Sequence, residues 1–215
     1  MATVVLLVLG VSGCVESGEA SRPTESVTTQ QQAAESSSAS VAFADFPMTF
    51  GYANPAEGWS TTLMVSAKGR FTGHYNKWAT GEVGPDFPNG TQYVCDFAGK
   101  FVEVKPAGDS QFSMRVEGLR ITSDPADPKN PTTEGVRTQY CEIGSDPVGF
   151  TSADEFLLFR PAKKVAGLPE GYVAWVFPAG APSETLGFYG LYNVAGNESF
   201  RGGNGLTSDG EDTGM

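Results

Sequence analysis

Strict alternation around short glycine turns is the feature that most constrains this chain. In Trp59-Ser60-Thr61-Thr62-Leu63-Met64-Val65, the residues Trp59, Thr61, Leu63 and Val65 share one face, with Ser60 and Thr62 on the other. Ala67-Lys68-Gly69 follows, then a second alternating run, Arg70 to Tyr75. Side chains of a strand point to opposite faces in turn, so two such runs around a glycine turn predict a β-hairpin. A second hairpin is expected to join Gln92–Phe97 to Lys100–Lys105 across Ala98-Gly99. Further strands are expected at Gln111–Arg120, Val136–Ile143, Glu155–Phe159, Tyr172–Phe177 and Leu186–Val194.

Two segments compete with this reading. Ser152 to Glu155 has capping-box spacing, which predicts a helical turn ahead of the strand, and Val165–Glu170 reads as a short helix redirected at Pro169. Ser123–Glu134, with three prolines, reads as a loop. About eight to ten short strands at such spacing predict an all-β fold. The hairpins are local in sequence, which favours a single antiparallel, up-and-down, calycin-like β-barrel over the alternative, a β-sandwich.

The chain divides into four stretches. Residues 1–13 hold an apolar run, Thr3–Leu9, of signal-peptide length and too short to span a bilayer. Residues 14–42 are rich in Ser, Thr, Gln and Glu; with little to bury, they are expected to form a disordered tether of roughly 30 Å root-mean-square span. Residues 43–200 carry the strands, and residues 201–215 read as a flexible acidic tail.

Composition narrows the partners. Fourteen basic and 25 acidic residues give a net charge of −11, and Lys163-Lys164 is the only adjacent basic pair. Nucleic-acid binding needs clustered cations, so it is not expected. The same charge repels anionic headgroups, so attachment to a membrane has to be covalent.

Val11-Ser12-Gly13-Cys14, directly after the apolar run, resembles the lipobox of bacterial lipoproteins. The resemblance implies cleavage before Cys14, lipidation of its sulfur, and an extracytoplasmic domain anchored to the outer face of the cell membrane. No Lys or Arg precedes Arg22, whereas export signals normally open on basic residues, so the natural start is expected upstream. Gly58-Trp59 resembles the opening of lipocalin-type barrels. More broadly, GWSTTLMVSAKGRFTGHY (58–75) and FPNGTQYVCDFAGKF (87–101) resemble the extracytoplasmic domain of a family of Gram-positive lipoproteins. That family has no assigned activity, so the resemblance implies an address and no mechanism.

With Cys14 lipidated, Cys95 and Cys141 remain. Outside the cytoplasm they are expected to form a disulfide between non-neighbouring strands, closing a loop of about 45 residues worth roughly 3–4 kcal/mol; the alternative is two separate buried thiols. No Cys-x-x-Cys spacing supports redox work or zinc. The single histidine, His74, lies opposite Phe71 and Tyr75 on its strand and is expected to face solvent; no Gly-x-Ser-x-Gly elbow accompanies it. Asp124 and Asp127 lack the ligand density of a calcium loop, and Gly202 to Gly205 lacks the repeat a calcium-binding nonapeptide needs. No catalytic residue, metal or cofactor is therefore assigned.

Trp78, in the Asn76–Thr91 connection, is the outward candidate for contact with a ligand or partner, whereas Trp59 and Trp175 sit at positions expected to be core. The leading expectation is a binding or envelope-interaction module for a small apolar ligand, a glycan or an envelope protein. An extracellular hydrolase using two carboxylates and a purely structural envelope component are the alternatives.

Overall fold

The structure, a computed structural model, describes residues 38–124, 133–142, 144–181 and 183–203. Cys14, the signal-like run, residues 14–37 of the expected tether, most of the Pro-rich loop and residues 204–215 of the expected tail lie outside the described residues.

Nine strands form one sheet: β1 (Met48–Asn54), β2 (Trp59–Val65), β3 (Arg70–Ala79), β4 (Thr91–Pro106), β5 (Gln111–Ile121), β6 (Arg137–Tyr140), β7 (Glu155–Phe159), β8 (Gly190–Asn193) and β9 (Glu198–Gly203). Eight close into a barrel in the order β1-β2-β3-β4-β5-β7-β8-β9, with β9 returning to β1. Every barrel pairing is antiparallel. Closure leaves none of these eight at an open sheet edge. β6 is the addition, running parallel to the start of β4 from Thr91↔Arg137 to Val94↔Tyr140.

The first hairpin forms as expected. Ser66 Oγ accepts from Arg70 N, and Gly69 takes the positive φ of +71° that closes the turn. The second does not exist: β4 runs unbroken through Ala98-Gly99. Gly99 is set by close approach, since Phe71 is its cross-strand partner and a Cβ on Gly99 would lie 2.6 Å from that ring. Two register shifts against β5 bend the long strand instead, letting β4 serve β3 with its first half and β5 with its second.

Tyr172–Phe177, expected as a strand, is a helix spanning Glu170–Val176. Pro169 precedes it and Glu170 places a carboxylate in its first turn, where the helix dipole favours it. Tyr172 and Val176, four apart, bury one face against Phe159, Leu186 and Tyr192 on the outside of the barrel. The expected short helix shrinks to a 3-10 turn at Val165–Gly167, and Ser152 to Glu155 makes a bend followed by strand rather than a helical turn. Leu186–Val194 contributes only Gly190–Asn193 to the sheet.

Residues 38–42 are helical and Ala42 is fully buried, so folded structure begins before Phe43. β9 continues through Gly203, because Phe50 and Gly51 of β1 pair with Gly202 and Arg201.

Cys95 and Cys141 are bonded, with Cα atoms 5.2 Å apart. Their strands are not sequential, but they are neighbours in the sheet: Cys141 immediately follows β6 and its N–H donates to Val94 O. The bridge fastens the added strand to the barrel wall.

Candidate functional site

Strand alternation decides what lies inside. Phe50, Leu63, Gly73 and Phe97 form one inward row across β1 to β4, with Tyr52, Thr61, Tyr75 and Cys95 in the next and Asn54, Trp59, Lys77 and Tyr93 in the last. The middle of the barrel is filled. Phe150 enters from the loop before β7, fully buried, with ring centroids 5.0 to 6.1 Å from those of Phe71, Phe97, Phe156 and Phe200.

A buried carboxylate holds this plug. Glu198 accepts from Gly149 N, Thr151 N and Thr151 Oγ1, each at 2.9 Å, and from Asn193 Nδ2 at 2.8 Å. Its oxygens therefore grip the backbone on both sides of Phe150, and Thr61 Oγ1 adds a bond to Val148 O. Four donors satisfy a charge that would otherwise be costly to bury.

The two barrel ends are unlike. At one, Phe43 packs on Phe46, which meets Phe50 and Tyr189, while Asp45 accepts from Tyr189 and Arg160. These bonds hold the Asp45 carboxyl below its usual range, the Tyr189 bond first. This end is capped by the residues that follow the N-terminal segment. A cleft of about 300 Å³ lies beside it, between residues 38–41 and the β4–β5 turn.

The opposite end is an aromatic mouth. Tyr52 lies 4.9 Å from Trp59 and from Trp175, and the two indoles stack at 6.0 Å with planes 20° apart. Tyr75 meets Trp59 at 6.5 Å, and Trp59 Nε1 donates to Glu57 Oε2 at 3.0 Å. In the outermost row Lys77 lies over the Tyr93 ring, Tyr93 OH donates to Glu82, and Arg137 pairs with Glu82 at 3.7 Å.

Trp175, 38 % exposed, departs from the expectation of core, whereas Trp59 is half-buried and packs against the core from the inward row. Trp78 is exposed, as expected, but it belongs to β3 on the outer wall rather than to a loop, and its backbone N–H donates to Gly58 O. His74 faces solvent and hydrogen-bonds Asp96 at 2.7 Å, again on the outer wall.

Burial, reinforced by the Glu198 and Glu57 carboxylates, pushes the Tyr52 phenol up to about 12. Burial likewise raises Tyr75 and Tyr172. These phenols stay protonated in the folded chain where they would ionise unfolded, so the folded state holds extra protons above pH 10. Stability is expected to fall steadily from pH 10 to 12, read as a declining denaturation midpoint alongside late tyrosinate absorbance.

In a groove of about 220 Å³ outside β4 and β5, Arg115 lies 2.9 Å from Asp154 and 3.4 Å from Glu103, so the guanidinium stands between the two carboxylates. Among the described residues, no group of three or more His, Cys, Asp or Glu side chains is placed to hold a metal ion, and no helix is long and apolar enough to cross a membrane. No protein-family model, curated protein or solved structure matches the chain.

Proposed function

We propose that this chain is a lipid-anchored extracytoplasmic binding module that meets its ligand or envelope partner at the aromatic mouth. The observation that carries the reading is the pair of stacked, partly exposed indoles above an interior packed with phenylalanine. Large aromatic rings left at a rim lose hydration readily and give up little side-chain entropy on binding, which is why they dominate recognition surfaces. A filled barrel offers its ends and loops to ligands, not its bore.

The address rests on Val11-Ser12-Gly13-Cys14 and the apolar run before it. It agrees with the pairing of the other two cysteines, which leaves Cys14 as the one sulfhydryl outside the bridge. The first described residues, 38–42, lie at the capped end, opposite the mouth.

Feeding an alkynyl fatty acid to cells producing the full chain tests the address. Label is expected on a mature product that begins at Cys14, and it is expected to vanish in Cys14→Ser. An unlabelled product that keeps residues 1–13 overturns the anchoring.

A further inference from the structure

We propose that the mouth is a carbohydrate site, taking an uncharged sugar chain with a pyranose face laid on the indole of Trp175, which Trp59 backs. This rests on the reading of the chain as a binding module and names the ligand class of that same site.

Ring geometry gives the first argument. Trp175 keeps 38 % of its surface exposed while Tyr52, at 4.9 Å, supports it from one side. A fixed indole with one open face presents its negative π-cloud to the weakly positive axial C–H groups of a sugar ring. Trp59, near-parallel at 6.0 Å, stacks behind Trp175 and fixes its plane.

Sugars also need hydrogen-bonding groups beside the ring. Glu57 spends one carboxylate oxygen on Trp59 Nε1 and retains acceptor capacity on the other, and Lys77, the cross-strand partner of Trp59, holds its ammonium over the Tyr93 ring. A hydroxyl, donor and acceptor at once, suits both.

Charge gives the next argument. Although the chain carries −11, at the mouth Glu57 and Glu82 are offset by Lys77 and Arg137. A balanced local field favours a neutral ligand over an ion of either sign.

Depth argues against a lipid. Phe150, held from both sides by Glu198, closes the bore beneath Phe200, whose ring touches Tyr52 at 5.3 Å. A long acyl chain needs a channel, whereas a sugar needs only a surface.

Tryptophan emission of the full chain, titrated with neutral tetrasaccharides of glucose, N-acetylglucosamine, mannose and galactose, tests this. At least one is expected to give a saturable shift, weakened about tenfold or more in Trp175→Ala and unchanged in Trp78→Ala. Trp175→Tyr keeps a stacking face and is expected to retain most of the affinity, which separates a lost platform from a lost fold. Palmitate and a proline-rich decapeptide form two parallel arms. Saturation by either of these with all four sugars silent overturns the sugar assignment and leaves the binding module standing. Silence in every arm overturns both.

Discussion

Replacing Phe150 with alanine is expected to lower the unfolding free energy by about 3–5 kcal/mol, the range for removing a buried aromatic ring. The ring is fully buried and meets those of Phe71, Phe97, Phe156 and Phe200, which come from opposite walls of the barrel. Those neighbours are anchored in strands and cannot close over the void, so the cavity cost adds to the lost transfer energy. In a domain of this size the melting temperature is expected to drop by roughly 10 °C or more. Phe150→Leu is expected to recover over half of the loss, because it refills most of the volume. Denaturant titration of the three proteins checks the series, and equal stability of wild type and Phe150→Ala contradicts a plugged interior.

The second large effect is expected at Glu198. Glu198→Leu leaves Gly149 N, Thr151 N, Thr151 Oγ1 and Asn193 Nδ2 without their shared acceptor. Buried donors without partners cost about 1–3 kcal/mol each, and partial rehydration of the loop recovers some of it, so a net loss of about 3–5 kcal/mol is expected. Glu198→Gln keeps one acceptor oxygen but turns a donor toward Thr151 N or Asn193 Nδ2, so about half that loss is expected. Because the carboxylate holds both flanks of Phe150, the two sites are coupled. The Glu198→Leu, Phe150→Ala double mutant is expected to lose less than the sum of the singles, and strict additivity rejects the clamp.

Local signals carried the parts of the fold that depend on neighbours in sequence. The β2–β3 hairpin was legible because Trp59, Thr61, Leu63 and Val65 alternate and Gly69 supplies the turn. The barrel followed from a succession of such strands. Gly99 misleads for a physical reason: glycine marks a turn and also marks an aromatic ring pressed on the backbone from across the sheet, and only the register distinguishes them. The helix at Glu170–Val176 is too short for its period to show, and Tyr172, Ala174 and Val176 mimic alternation.

The site was legible only in its residue types. Trp59 and Trp175 were visible as large rings, but their stacking depends on a helix laid against a distant strand. Glu198 gave no local sign at all, since its partners Gly149 and Thr151 lie 49 and 47 positions away. The pairing of Cys95 with Cys141 was readable by elimination, whereas the parallel strand it fastens was not.

Three tryptophans give three indole N–H resonances that report on two places: Trp59 and Trp175 on the mouth and Trp78 on the outer wall. Nitrogen-15 and methyl carbon-13 spectra recorded while a neutral tetrasaccharide is added follow these signals and the interior methyls together. If recognition occurs at the mouth above a closed interior, the Trp59 and Trp175 signals move along one saturation curve while Trp78 and the interior methyls of Leu63 and Met114 stay fixed. Movement of Trp78 alone, or of the interior methyls with both mouth indoles still, contradicts it.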